Sequence, residues 1–301
     1  MPGQRQSTTA WGRLLGNRWA VAGGVVALLF VLLAIFAPLV TGITGNDPYT
    51  YDIKALDESG VPLGPLGGAS VHHWFGVEPQ TGRDLFAIVA YGARTSLLVG
   101  LGATIVSIVI GTVVGIVAGF FPGTVDTALS RFTDVMLAFP SLIFMVALSA
   151  LVPTTFPKQL FMVLVIGGFS WPSLARITRG QTLALRNRAF VVAAEAVGAG
   201  SGHILRTEIL PNLASTITVV ATMSIPAAVT MEAALSFLGI GVPPPTPSWG
   251  RIISSAVGWV QVDPWYLLSA GLALVTVTLA LNVFGDGLRD ALDPRLVGRA
   301  A

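Results

Sequence analysis

No cysteine occurs in the 301 residues, and lysine occurs only twice, at Lys54 and Lys158. The first absence excludes disulfides, iron–sulfur clusters and thiolate catalysis. The second removes the P-loop, whose lysine follows a glycine, precedes Ser or Thr and reaches the β- and γ-phosphates. Lys54 follows Ile53 and Lys158 follows Pro157, so the chain holds no nucleotide by that route. Charge is scarce as well: 11% of residues are charged, against about one quarter in a soluble domain. The 17 Lys and Arg are scattered, with a net charge of +2. They form no basic stripe interleaved with aromatics, so nucleic acid is not an expected partner.

Apolar surface is what the chain has in abundance. Hydrophobic residues make up 53% and the mean hydropathy is +0.76. Such a chain cannot cover itself with polar surface, so lipid is its solvent. After Arg5, Arg13 and Arg18 no charge appears from Trp19 through Val40, enough for roughly 33 Å of helix against a hydrocarbon core of about 30 Å. Signal-peptide apolar regions are shorter and end in a small-residue cleavage site, which this run lacks. An uncleaved first span is expected. Five more charge-free stretches follow: Ser96–Phe121, Val135–Pro157, Gln159–Ala175, Ile209–Met231 and Pro264–Gly285. The shortest, Gln159–Ala175, is expected to continue past Arg176, whose long side chain can reach the interface. Lipid offers backbone groups no partners, and the period-two alternation of a barrel is missing, so each span must be helical. The expected fold is an all-α membrane protein with six transmembrane helices.

Orientation follows from where the basic residues fall. With the N-terminus inside, Arg5, Arg13, Arg18, Arg131, Arg176, Arg179, Arg186, Arg188, Arg206, Arg289, Arg295 and Arg299 lie on the cytoplasmic side. Lys54, Arg83, Arg94, Lys158 and Arg251 lie on the other, which gives N-in and C-in. Two connections are long enough to hold structure. Thr41 to about Gly92 is external and rich in Gly, Pro and acids; Arg176–Glu208 is cytoplasmic and carries the helix-forming run Ala189–Ala196. A third, Gly239–Asp263, is external and holds the stiff Pro243-Pro244-Pro245 segment.

Chemistry has few candidates. Ser170 could suggest an intramembrane nucleophile, which would need a histidine base at comparable depth. His72, His73 and His203 all fall in loops, so Ser170 reads as a small polar residue packed between helices. Adjacent His72 and His73 have no third ligand nearby in sequence, so no metal site is expected. Glu232 is the one plausible intramembrane carboxylate, and such a residue demands a partner or a water-filled cavity. A pathway or gating role is expected for it, paired with Arg251.

The informative segment runs from Phe190 to Asn212. Phe190, Val191, Val192, Ala193, Ala194, Glu195 and Ala196 form a short alanine-dense helix, broken at Gly198-Ala199-Gly200. Ile204 follows, and Ile209-Leu210-Pro211-Asn212 then places a proline where the next span can open. The residues alone leave two readings open, an amphipathic linker or a docking helix whose small side chains let a partner approach closely.

This segment resembles the cytoplasmic coupling motif of ABC importer permeases, in which Glu-Ala-Ala, three residues and Gly lead at fixed spacing to Ile-Leu-Pro. Ala193, Ala194, Gly198, Ile209, Leu210, Pro211 and Asn212 match, while Val192 stands where the family has glutamate. Further resemblance to the dipeptide, oligopeptide and nickel branch comes in order along the chain. It includes Phe75-Gly76, Gly82-Arg83-Asp84, Tyr91-Gly92-Ala93-Arg94, Leu235-Ser236-Phe237-Leu238-Gly239, Pro244 to Gly250 and Gly285 to Pro294. The branch's C-type subunit, with its extra first span, is the form most similar.

The resemblance implies a type I importer permease in a bacterial inner membrane. Residues 1–92 would be tail, first span and external loop, and 93–301 a five-helix core with a coupling loop at 176–208. It implies a second, similar permease, two ATPases or one fused ATPase carrying the ATP and Mg, and an external solute-binding protein. The chain itself would hold no cofactor and catalyse nothing. Phe190, Val192, Ala193, Ala194, Glu195, Gly198, Ile204, Leu210 and Pro211 would form the ATPase contact, and peptide would move by alternating access. Relatives of this branch also handle nickel complexes, glutathione and haem. A stand-alone ion-coupled carrier would need more intramembrane ionisable residues and paired repeats than the sequence offers.

Overall fold

The computed structural model describes residues 10–153 and 155–292. Arg5, Arg295, Arg299 and the Asp293-Pro294 end of the tail motif lie outside the described residues. Helices α1 (Ala10–Gly16) and α2 (Arg18–Ile35) meet at Asn17, whose Oδ1 accepts from the N–H groups of Trp19 and Ala20 at 3.1 and 3.2 Å. Helix α2 stops at Phe36 because Pro38, in the first turn of α3 (Ala37–Thr44), has no N–H and its ring would strike the carbonyl four residues back. The first span is therefore a helix with a break, where one run through Val40 was expected.

Helix α4 (Leu85–Phe120) begins well before Ser96, so the expected loop and domain boundary at Gly92 falls inside it. Arg94 lies exposed on its surface. The third span differs most from expectation. It is two helices, α5 (Thr124–Ala138) and α6 (Ser141–Ser149), bent by 82°. Phe139 is extended because a residue before proline avoids the helical region, and Pro140 cannot continue the ladder. Then come α7 (Lys158–Arg186), α8 (Ala189–Ala196), α9 (Ser201–Phe237), α10 (Trp249–Ala256) and α11 (Pro264–Leu292). Among the described residues α2, α4, α7, α9 and α11 are each long and apolar enough to cross a membrane. The bent α5–α6 pair makes a sixth crossing if it counts as one span. In the three-proline segment the Pro244–Pro245 bond is cis.

What joins the spans is close approach, because lipid tails are as apolar as the helices and leave packing as the attraction. Gly111, Gly115 and Gly119 recur every fourth residue and so line one face of α4. A Cβ on Gly111 would come to 2.8 Å from the Trp171 carbonyl oxygen, and one on Gly119 to 2.7 Å from that of Arg179. One on Gly115 would overlap Thr178 Oγ1 and the Ala175 carbonyl. From α7, a Cβ on Gly167 would come to 2.7 Å from the Ala103 carbonyl oxygen. The two helices therefore run parallel, backbone against backbone. Charged residues also join this side: Arg179 pairs with Asp126 of α5 at 2.5 Å, and Arg176 with Asp134 at 2.8 Å. Arg176, expected to reach for the interface, has found a carboxylate. A Cβ on Gly23 of α2 would come to 2.6 Å from the Ala280 carbonyl oxygen of α11, so the first span lies close along the last.

At one end of the bundle the 45–84 segment folds into a knot. Asp84 Oδ1 caps α4 by accepting from Ala87 N at 2.7 Å. Its Oδ2 accepts from Asn46 Nδ2 at 2.9 Å and lies 2.8 Å from His73 Nδ1. Glu78 pairs with Arg83 at 2.6 Å and accepts from the Tyr266 hydroxyl at 2.6 Å, while Trp265 Nε1 donates to the Phe75 carbonyl at 2.9 Å. The knot is thus fastened to α4 and to the start of α11. Asp84→Ala should cost about 1–2 kcal/mol, from the lost cap and the half-buried Asn46 and His73 groups that lose a partner. Thermal unfolding of the purified protein checks this. An unchanged midpoint would mean the knot does not depend on Asp84.

Candidate functional site

At the end of the bundle opposite the knot, α8 lies across the ends of α4, α7 and α9. Its inner face is Val191, fully buried against Ile116, Phe120, Ile204, Ile209 and Leu213, with Ala194 and Ala199 packed beside it. The helix ends in a Schellman motif. Gly198 adopts φ +86, its N–H donates to the Glu195 carbonyl at 3.0 Å, and the Ala199 N–H donates to the Ala194 carbonyl at 3.0 Å. Glycine is the residue that reaches this left-handed conformation without a Cβ penalty.

The outer face is left bare. Val192 is 53% exposed and Val197 85%, with Phe190, Ala193, Glu195 and Ala196 exposed around them. Helix α8 is too short and apolar to be stable alone in water, and the Val191 contacts hold it in place while its other side presents valine and alanine.

The remaining residues of the segment sit on α9. Ile204 is buried beneath α8, while Leu210 and Pro211 are exposed. Pro211 does not open this helix, which starts at Ser201. Instead Leu205–Ile209 is a π-turn, with the Leu210 N–H donating to the Leu205 carbonyl. Pro211 removes one helical bond and crowds the carbonyl four residues earlier, and widening the preceding turn accommodates both.

Glu232 and Arg251 are not paired. Glu232, on α9, is fully buried where α4, α9 and α10 meet. Its Oε1 accepts from Ser236 Oγ at 2.6 Å, and Oε2 has no hydrogen-bond partner among the described residues. Nearby, Trp249 N donates to Ser96 Oγ at 3.3 Å, and Trp249 Nε1 donates to the Val89 carbonyl at 3.0 Å. Arg251, on α10, faces the knot. Burial first, and then the neighbouring Arg83 guanidinium, push its pKa below the ordinary arginine value, with Glu78 and Tyr266 opposing. Sequence distance concealed this, because Glu78 and Arg83 come to Arg251 only through the folded 45–84 segment.

Ser170 Oγ donates to the Ile166 carbonyl at 2.7 Å, within its own helix. His73 is engaged with Asp84. No metal-binding group of three ligands occurs among the described residues. The reading from residues missed two features: the Gly111, Gly115 and Gly119 seam, signalled by its four-residue spacing, and a cleft that brings Lys158 and Arg251 together, for which the sequence holds no signal.

Comparison with known proteins gives two family matches. Residues 111–298 match the binding-protein-dependent transport system inner membrane component. Residues 6–62 match the N-terminal TM domain of oligopeptide transport permease C. The dipeptide transport system permease protein DppC of Alkalihalophilus pseudofirmus is 37% identical over 287 residues, covering 95% of this chain and 89% of the relative. The oligopeptide transport system permease protein OppC of Bacillus subtilis is 36% identical over 94% of this chain and 88% of its own length. The glutathione transport system permease protein GsiD of Pectobacterium atrosepticum is 35% identical over 95% and 90%.

Proposed function

The chain belongs to the family of binding-protein-dependent transport system inner membrane components, and from that premise we propose that it is a peptide-conducting permease subunit of an ATP-driven importer. One observation carries the mechanism: α8 is anchored by Val191 on one side and offers a bare apolar face on the other. That face is the seat of a partner ATPase. Phe190, Val192, Ala193, Glu195 and Ala196 make the contact, and Ala194, Gly198 and Ile204 hold the helix that makes it. ATP and Mg belong to the ATPases, and a second, similar permease and a solute-binding protein complete the importer. The substrate reading rests on the relatives, whose names specify dipeptides, oligopeptides and glutathione.

Movement of α8 passes directly to α4 and α9, since Ile116, Phe120, Ile209 and Leu213 are its floor. Packed elements of this kind shift as units between discrete arrangements, which is what alternating access requires. In this scheme α10 is fixed to α9 beside the buried Glu232 by the close approach of Gly250 to the Ala233 carbonyl.

The α8 end is cytoplasmic and the 45–84 knot external, as the Lys and Arg distribution requires. Because the chain has no cysteine, single cysteines placed at exposed Ser59 and Ser201 test this cleanly. In intact cells an impermeant thiol reagent should modify the residue at 59, and reach 201 only after permeabilisation. Modification at 201 and not at 59 in intact cells would invert the topology and remove α8 from the side where ATP is hydrolysed.

A further inference from the structure

Beside the knot, a cleft of about 480 Å³ opens among the end of α6, the start of α7, the end of α9 and α10. Two cations line it, Lys158 and Arg251, and no carboxylate does. Neither cation has an ion-pair partner among the described residues. Glu78, the acid near Arg251, is already taken by Arg83 and by the Tyr266 hydroxyl. The Lys158 ammonium lies 5.6 Å from the centre of the Phe161 ring, a contact that orients it without neutralising it.

Of the four serines on the wall, Ser255 keeps a hydroxyl that can donate or accept, and the other three are acceptors. Ser149 Oγ donates to the Val146 carbonyl at 2.7 Å, Ser254 Oγ to the Phe237 carbonyl at 2.8 Å, and Ser236 Oγ to Glu232. A hydroxyl has one proton to donate, so these three present only lone pairs to the cleft. Pro243 and Pro244 have no N–H to offer, and the Pro243 carbonyl accepts from Thr246 N at 3.2 Å. The wall therefore combines two unpaired cations with a set of acceptors. A simple anion would use the cations and leave the serine lone pairs unused. A molecule bearing both a carboxylate and N–H or ammonium groups would use all of it.

We propose that this cleft binds the transported peptide by its terminal carboxylate, with Lys158 and Arg251 taking the carboxylate and the serine oxygens taking N–H groups. The proposal rests on the peptide reading above. The volume suits it, since small-ligand sites run from about 300 to 1,000 Å³.

The test uses the assembled importer in lipid nanodiscs, trapped with vanadate and free of the solute-binding protein. Trialanine and trialanine amide are compared by saturation-transfer NMR. The wild type should bind trialanine about tenfold more tightly than the amide, the worth of one charge-assisted contact. Arg251→Gln and Lys158→Gln, which lie on different helices, should each remove that preference, and Arg251→Lys should keep most of it. Equal binding of the two peptides by the wild type, or a preference that survives both glutamine variants, overturns the site. Weakening that is equal for both peptides does so too, because it would assign the cations to contacts between subunits. Uptake of trialanine by the same wild-type complex in liposomes, with its solute-binding protein, reads the parent proposal separately. Uptake without a carboxylate preference sinks the cleft alone, and absence of uptake sinks the peptide reading.

Discussion

Gly115→Leu is expected to remove most of the folded permease. The α4–α7 contact is backbone against backbone, and a Cβ at Gly115 would occupy the space of Thr178 Oγ1 and the Ala175 carbonyl. Thr178 cannot turn away at no cost. Its hydroxyl, buried, donates within hydrogen-bond distance of the Leu174, Gly111 and Ala175 carbonyls. The Ala175 oxygen can move only if α7 moves. Overpacking generally costs about 1–3 kcal/mol, occasionally more where nothing can yield, and here a rigid helix would have to retreat along the whole seam. Displacing α7 would also pull Arg179 from Asp126 and Arg176 from Asp134. We expect a loss of about 3 kcal/mol or more, seen as aggregated or degraded protein and a much reduced yield of monodisperse material in detergent. Gly168→Leu is the matched control. It lies on α7, the other helix of the pair, with nothing within 4 Å of a Cβ built there, and replacing a helical glycine there should be neutral or slightly stabilising. If Gly115→Leu matches Gly168→Leu in yield and thermal midpoint, the seam is not what holds α4 to α7.

The same seam shows where the sequence was legible and where it was not. Five of the six spans could be found from charge-free runs, because lipid excludes charge wherever no partner neutralises it. The third could not. Its first helix, α5, carries Asp126, Arg131 and Asp134, and a window that stops at charge begins at Val135 instead of Thr124. Two of those charges are paired with Arg179 and Arg176 across to α7, so the helix can run through them. Pairing is a tertiary fact, and single-sequence reading cannot see it. Arg94 misled for a different reason: the charge-free run begins only after it, but α4 starts at its Asp84 cap and carries Arg94 exposed on its surface. The Glu232–Arg251 pairing failed for the converse reason. Both residues were rightly singled out as unusual, but two lone charges of opposite sign need not meet, and the knot that surrounds Arg251 comes from residues far away in sequence.

The docking segment was legible as a helix to its ends, since Ala189–Ala196 forms as its composition predicts. The division of labour inside it was not legible. Ala194 and Gly198 share the small size that suits a close interface, yet Ala194 packs inward on the cluster around Val191, and Gly198 is required by its φ of +86. Bulk at either position would disturb the chain's own packing before it reached a partner. The outward positions are Ala193 and Ala196, and the decisive variants are Ala193→Trp and Ala196→Trp. Both keep a helical residue in a helix, and both project into open solvent, so the permease itself should express and unfold as the wild type does. A tryptophan there would hold the ATPase off the Val192 and Val197 surface. Overpacking an interface by this much costs about 1–3 kcal/mol, which lowers ATPase affinity by about five- to 150-fold. In the purified importer, solute-stimulated ATP hydrolysis and uptake should fall together, and the ATPase should dissociate on dilution. Thr155→Trp, exposed in the connection between α6 and α7 at the other end of the bundle, should leave all three properties unchanged. Tryptophan at 193 and 196 with normal uptake and an intact complex would mean that the ATPase seats elsewhere, and that the bare face of α8 has another use.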